Sequence, residues 1–439
     1  MITKLAISNY RSIGELGVQI ELKPLTILLG SNGSGKSSIM EALCMLMQRE
    51  KATFLGSLRD GELVSYPTVN SIAHKGKLDR LITIEINMTL SDSESNQIKQ
   101  LVSAIDTVSL KIKIDKLQPI GYRVSYKPET EETYQSILIG YNEIIKSGYI
   151  RTGEHSYQNR VVFPQIAEAG ALGDVQTMLN DSIFKPESRQ KVVSPLIELA
   201  NLAHKIIKSK LYGNLFTISA FRGDVKLEGQ ADALPHWVGK NGQNLLELLA
   251  LIFGNRRYRG IQEKVGYWAE RFEIFRLNAG WRGKSVVGAD YLDSTFKTPL
   301  ELALAGYGSR QILSIITQLF WSKAGDIIMV EEPEISLHPN SQALLPELFA
   351  DAVKEGKQVI ITTHSETLPL ALRRPINKNL IGAKDIAVYH VEKRNTGTKV
   401  RQLRLTKDGY VRGWIPSFAE VELQLLKEWS QTIPKHKSD

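Results

Sequence analysis

Residues Gly30-Ser31-Asn32-Gly33-Ser34-Gly35-Lys36-Ser37-Ser38 carry two fixed glycines, a lysine and a hydroxyl at the spacing G-x-x-x-x-G-K-[ST]. Glycines let a backbone curl until successive N–H groups point inward, and a following helix adds its unsatisfied donors and positive dipole end. Such a concavity suits phosphate. In that chemistry Lys36 reaches the β- and γ-phosphates and Ser37 takes one coordination position on Mg²⁺. The candidate nucleotide-binding residues are Asn32, Gly33, Ser34, Gly35, Lys36, Ser37 and Ser38. The pattern implies that a nucleoside triphosphate is bound.

Three later stretches carry groups that could act on a triphosphate. The apolar run from Asp326 to Val330 closes on Glu331-Glu332-Pro333. Paired carboxylates at a strand end divide the labour: Glu331 holds Mg²⁺ through water, and Glu332 polarises the attacking water. Another apolar run, Gln358 to Thr363, ends in His364, which could sense a γ-phosphate, hold the lytic water, or be a satisfied core histidine. Gly306, Gly308 and Ser309 open a helical pattern and make a second anion-seeking end. Upstream, the turn Asn9-Tyr10-Arg11-Ser12 offers an aromatic and an arginine to a base or a phosphate; a solvated hairpin turn explains them equally well. Arg256, Arg257, Arg259, Arg276, Arg282 and Lys284, interleaved with Tyr258 and Trp281, leave nucleic acid as a candidate partner beside the plainer reading of a solvated helix face.

The elements that must position these groups follow from periodicity. Residues 2–8 and 18–22 alternate as half-buried strands, 25–29 is a buried strand feeding the glycine-rich loop, and Ile39, Leu43, Leu46 and Met47 mark the helix after it. Residues 80–90, 109–114, 121–126 and 133–139 predict an antiparallel meander, with a short helix capped by Ser93 or Ser95 between the first two. A helical insertion is predicted over 140–212, with its clearest three-four spacing between Leu196 and Ile207. Beyond it come a strand at 215–220 leading into Phe221-Arg222-Gly223, helices over 244–253 and 340–355, a hairpin over 385–405, and an amphipathic helix at 421–429. The implied organisation is 1–139 as the first part of a nucleotide-binding head, 140–212 as an insertion, 213–410 as the head's second part, and 411–439 as a terminal helix and tail.

Composition sets outer bounds. The chain has 439 residues, 42% of them hydrophobic, enough for a large core. Its formal charge of +8, from 55 basic and 47 acidic residues, is a mild excess spread along the chain. One cysteine, Cys44, excludes an internal disulfide, and the eight histidines show no metal-type spacing. The N-terminus lacks a signal pattern and no apolar run is long enough to span a bilayer, so a cytoplasmic protein with no membrane partner is expected.

Phosphate loop, glycine-led helix, carboxylate strand and histidine-ending strand, in that order, resemble the ABC-type ATPase superfamily, and within it the soluble RecF, SMC and OLD-like branch. Asn9-Tyr-Arg-Ser12, Glu331-Glu-Pro-Glu-Ile-Ser-Leu-His-Pro339 and Thr363-His-Ser365 are similar to that branch's motifs, over roughly 1–90 and 215–410. The resemblance implies an α/β P-loop NTPase of ABC-ATPase type, with a mixed sheet core, an antiparallel meander and a helical insertion. It implies ATP and Mg²⁺ as ligands, Arg11 beside the nucleotide, and Glu332 and His364 as catalytic groups. It also implies that Gly306, Gly308, Ser309 and Gln311 form a signature meeting the γ-phosphate held by another copy, with 336–338 facing across that dimer. Two departures stand out: Gly-Tyr-Gly-Ser-Arg-Gln replaces the transporter-type Leu-Ser-Gly-Gly-Gln, and Glu331 stands in place of Asp. OLD-like relatives often continue into a Toprim nuclease domain, whereas no acidic Asp-x-Asp set follows His364 here. The expectation is therefore a homodimeric or larger ATPase that gates a separate nuclease or toxin in antiviral defence. A DNA-binding repair ATPase is the alternative, and a transporter subunit a more distant one.

Overall fold

The computed structural model describes residues 1–47, 62–77, 82–88, five strands between 108 and 159, 213–223, 225–230, 235–293, 297–412 and 427–428. Two antiparallel sheets come first. β1 (Ile2–Ser8) lies between β2 (Val18–Glu21) and β4 (Thr83–Met88), while β3 (Leu25–Leu29) belongs to the central sheet. β5 (Val108–Lys113), β6 (Gly121–Tyr126), β7 (Gln135–Asn142), β8 (Ser147–Thr152) and β9 (His155–Asn159) pair in sequence as an antiparallel meander, but the strand expected to open it, 80–90, is β4 and pairs with β1 instead, burying Ile84 and Ile86 beside Leu5 and Ile7.

The meander runs further than its pattern suggested. β8 and β9 occupy part of the expected helical insertion, because Tyr149, Ile150, Thr152 and Tyr157 suit a pleated strand and register pairs Ile139 with Ile150 and Ile150 with Tyr157. The helical expectation over 160–212, the helix after residue 90 and most of the one over 421–429 lie outside the described residues.

After β10 (Leu215–Ile218) come a small sheet of β11 (Gly229–Gln230), β12 (Phe275–Trp281), β13 (Val286–Leu292) and β14 (Pro299–Glu301), then β15 (Ile327–Glu331), β16 (Gln358–Thr363), β17 (Ile386–Arg394), β18 (Gly397–Leu405) and β19 (Val411–Arg412). The central sheet has the order β10-β15-β16-β3-β17-β18-β19; its first five strands are parallel and its last two antiparallel. The mixed sheet core is therefore as expected.

Its strands read as unbroken apolar runs because both faces are covered. Leu28, Met329, Ile360 and Tyr389 face a core shared with β1, β4 and α1 (Lys36–Met47), which inserts Ile39, Met40 and Leu43. Ile27, Leu29, Val330 and Ile361 face the opposite core. That core is built from α2 (Leu245–Gly254), α3 (Arg259–Arg271), α4 (Tyr307–Trp321) and residues after β15. Those residues form α5 (Pro339–Gln342) and α6 (Leu345–Lys354). The single helix predicted over 340–355 is thus two, with Pro346, which lacks an amide donor, in the first turn of the second. Short helices α7 (Thr367–Ala371) and α8 (Arg373–Asn377) complete this face. Among the described residues, no helix is long and apolar enough to cross a membrane.

Candidate functional site

Register alone brings the reactive groups together. Glu331 pairs with Thr362, Thr362 with Leu28, and Thr363 with Leu29, so the carboxylate turn, His364 and the phosphate loop leave three adjacent parallel strands at the same level. The Gly30 N–H donates to the Thr363 carbonyl at 3.2 Å, continuing the ladder into the loop. This carboxyl edge is where open α/β sheets place ligands.

The loop is held in shape before anything occupies it. Gly35 takes φ +110°, and a Cβ there would lie 2.0 Å from Thr398 Oγ1, so only glycine fits. Behind it runs a chain of hydroxyls: Ser12 donates to Ser38 at 2.9 Å, Ser12 and Thr398 share a hydrogen bond of 2.8 Å, and Thr398 donates to the Ser34 carbonyl at 3.0 Å. Lys36 Nζ folds back onto the Gly30 and Ser31 carbonyls at 2.7 and 3.0 Å. Burial pushes the Lys36 ammonium below its usual range, against the pull of Glu332, Glu334 and Glu331. Asn32, Gly33 and Ser37 are exposed at the mouth, and the Ser34 hydroxyl is buried with no hydrogen-bond partner.

Opposite the loop, Glu332 sits at φ +44°, a left-handed conformation that a glutamate adopts only when its surroundings impose it. Its N–H is tied to the Thr362 carbonyl at 2.8 Å. His364 Nδ1 stands 3.5 Å from Glu332 Oε1 and 3.7 Å from Glu334 Oε1, and makes no hydrogen bond in this state. Burial raises the Glu331 carboxyl above its usual range, with Lys240 opposing.

Two buried residues organise this turn. Glu334 Oε1 accepts from Thr363 Oγ1 at 2.6 Å and from the His364 and Ser365 amides at 3.2 and 3.1 Å. Its other oxygen is buried without a partner. Arg222 donates to the carbonyls of Ser219, Glu331 and Glu332 at 2.9, 2.8 and 3.2 Å, and burial lowers its guanidinium to about 10. The sequence hints at Arg222, since Phe221-Arg222-Gly223 follows a buried strand, and Glu334 lies inside a quoted motif. Neither carries a spacing that assigns it a role. Thr398 has no sequence signal, because its partner is 364 residues away.

The remaining expectations divide. Gly306 caps α4, and a Cβ on Gly308 would meet the Ser336 carbonyl at 2.3 Å, so the signature packs against the 336–338 loop of its own chain. Gly306 is exposed and Gly308 and Ser309 partly so, but Gln311 is buried at 1% exposure. It lies on the inward-facing side of α4, beside Gly223. Tyr10 is fully buried with its hydroxyl 3.0 Å from Tyr66, so it stacks no base. Arg11 is paired with Glu41 on α1 and lies over the Tyr66 ring. In the basic stretch, Tyr258 packs on Trp321, Arg259 pairs with Glu263 and Arg282 with Glu301, while Arg256 and Arg257 remain exposed. Buried Cys44 is the small core residue it was expected to be.

The site fits a triphosphate with a divalent cation. The exposed Ser37 hydroxyl and the Glu331 carboxylate would supply oxygen donors, and the Ser34 hydroxyl and one Glu334 oxygen are buried without hydrogen-bond partners. A phosphate loop, a carboxylate-ended strand and a histidine-ended strand, adjacent in one parallel sheet, define a P-loop ATPase of the ABC type. The chain belongs to the family described as "AAA domain, putative AbiEii toxin, Type IV TA system", whose profile matches residues 25–371. It is similar to the Old nuclease of Escherichia phage P2, at 22% identity over 394 residues. That match covers 84% of this chain and 57% of the phage protein, so the chain spans little more than half its relative's length. Among solved structures it resembles an SMC head bound to the C-winged helix domain of ScpA (TM-score 0.44, 12% identity, 92% of this chain and 98% of that one). It also resembles the SMC head of Thermotoga maritima (TM-score 0.37, 9% identity, 92% and 99%).

Proposed function

We propose that this chain binds and hydrolyses ATP, that two copies close over the nucleotide, and that closure controls a separate effector protein in antiviral defence. The observation that carries the reading is the shared level of the Gly30–Ser38 loop, Glu331-Glu332 and His364 at one sheet edge. ATP phosphates lie in the loop with Lys36 turned from the Gly30 and Ser31 carbonyls toward them. Ser37 and Glu331 hold Mg²⁺, which supplies charge neutralisation and orientation of the phosphates. Glu332 accepts a proton from the attacking water, and His364, with its free Nδ1 beside Glu332, bonds that water or the γ-phosphate.

Association of copies is supported by apolar side chains exposed around the start of α4: Phe221 (86%), Leu304 (67%) and Tyr307 (44%). The printed name of the phage relative makes a nuclease the first effector to look for, beside a toxin. A DNA-binding repair ATPase has less support, since the ring of Tyr258 is occupied and two of the cations are paired.

Glu332→Gln is expected to lower ATP turnover by about 10²–10⁴ while nucleotide binding persists, and Lys36→Ala to lose binding. The Glu332→Gln protein with Mg²⁺-ATP should run at twice the monomer mass in light scattering. Unchanged turnover in Glu332→Gln removes that residue from the mechanism, and a monomer at saturating ATP removes the closure of two copies. Association is read first because the effector's identity depends on it.

A further inference from the structure

The signature helix and the catalytic carboxylates are separate elements, and one buried side chain touches both. Arg222 is 1% exposed. Its Nη1 and Nη2 bond the carbonyls of Glu331 and Glu332 at 2.8 and 3.2 Å, and its Nε points at the Gln311 carbonyl, 3.4 Å away in the first turn of α4. Gly223 beside it, at φ +86°, lets α4 come close: a Cβ there would lie 2.9 Å from Gln311 Cγ and 3.0 Å from the Gln311 nitrogen. The carbonyl of Ser219, at the end of β10, completes the set at 2.9 Å. One planar fork thus ties β10, β15 and α4 together by their backbones. No carboxylate oxygen of a described residue lies within hydrogen-bonding distance of it. A lysine, a point donor on a flexible stem, cannot bridge these carbonyls at once.

The carbonyls it holds belong to the residues whose side chains act. Glu332 is in the left-handed region, where its orientation depends on what restrains its backbone on both sides. Its N–H is fixed by Thr362 and its C=O by Arg222. Gln311 lies five residues after Gly306, on the helix whose exposed start is offered to a second copy.

We propose that Arg222 is a positioning residue through which a contact on the start of α4 sets the orientation of Glu332, so that hydrolysis answers to the arrival of the second copy. The proposal rests on the reading of the site as an ATPase that closes in pairs. A helix displaced at its first turn moves the Gln311 carbonyl, the guanidinium follows, and the Glu331-Glu332 turn is re-aimed. Among the described residues Arg222 makes no hydrogen bond to the phosphate loop, so turnover should fall far more than binding.

The test uses the full chain with Arg222→Lys and Arg222→Gln. In both, the Kd of a fluorescent ATP analogue and the KM for ATP should stay within about threefold of wild type, while kcat falls about 30-fold or more. Adding Arg222→Gln to Glu332→Gln should give little further loss, because Arg222 acts through that carboxylate. Hydrogen exchange gives a second readout that needs no turnover. Amides of 330–335 and of 310–314 should lose protection together in Arg222→Gln, with those of 36–45 unchanged. Wild-type kcat in Arg222→Gln overturns the proposal, as do fully additive losses in the double variant. So does loosening of one segment without the other, or of 36–45 with them, the signature of general destabilisation. If the wild-type chain does not hydrolyse ATP at all, the functional reading fails, and the exchange pattern still decides whether Arg222 couples the two segments.

Discussion

Thr398→Val tests whether the phosphate loop is shaped from behind by the C-terminal hairpin. Thr398 Oγ1 donates to the Ser34 carbonyl at 3.0 Å and shares a 2.8 Å hydrogen bond with Ser12, whose hydroxyl in turn bonds Ser38. Valine keeps the shape and removes the donor, leaving a buried carbonyl without its partner. Such a loss costs about 1–3 kcal/mol. Because the damage falls on the loop that must cradle phosphate, most of it should appear in nucleotide binding: a rise in Kd of roughly 5- to 150-fold, at about 1.4 kcal/mol per decade. Thr398→Ser keeps the hydroxyl and should stay within a few-fold of wild type. Titration of a fluorescent ATP analogue into the three proteins measures this directly. Equal Kd values in Thr398→Val and wild type would refute the idea that these hydroxyls shape the loop.

Gly308→Ala places a methyl against the Ser336 carbonyl, where a Cβ has only 2.3 Å; overpacking of about 1–3 kcal/mol should fall on the α4 start. ATP-dependent association and turnover should drop while the single-copy Kd for nucleotide holds, as read by light scattering and fluorescence. Burial tends to raise the Glu347 carboxyl, but Lys378 and Arg271 at 2.9 Å outweigh it, so its value lies below the usual 4.5. A depressed carboxylate stabilises the fold above its unfolded-state value, and that contribution fades as pH falls through the native one. Glu347→Gln should therefore lower Tm at neutral pH, with the gap to wild type closing below about pH 4.5; a gap constant with pH would count against the ion pairs. Burial raises the Cys44 thiol to about 12, so native protein should resist maleimide at pH 8 and react only on unfolding.

What the sequence made legible was whatever is written in consecutive residues. The Gly30–Ser38 pattern, the apolar runs of β3, β15 and β16 and the groups that end them are local signals, and parallel pairing set them side by side without further instruction. What it hid depends on partners far along the chain. Thr398 reaches Ser34 only because β17 joins β3 in the central sheet, and the partners of Tyr10 and Arg11, Tyr66 and Glu41, lie far along the chain from them. Gln311 illustrates a second blind spot: the motif spacing names it, but the helical period that buries α4 turns it inward.

The cations near the carboxylates are not used to neutralise them. Lys36 is held by the carbonyls of Gly30 and Ser31, Lys240 by that of Leu63, and Arg222 by those of Ser219, Glu331 and Glu332. Among the described residues, neither Glu331 nor Glu332 forms an ion pair with a lysine or arginine. A buried cation satisfied by carbonyl dipoles avoids the desolvation penalty of standing bare without an ion pair to the neighbouring carboxylates. Had Arg222 paired directly with Glu332, it would have occupied the carboxylate oxygens. Holding the backbone instead fixes where the carboxylate sits. That separation of positioning from charge pairing is what lets positive and negative groups crowd one sheet edge.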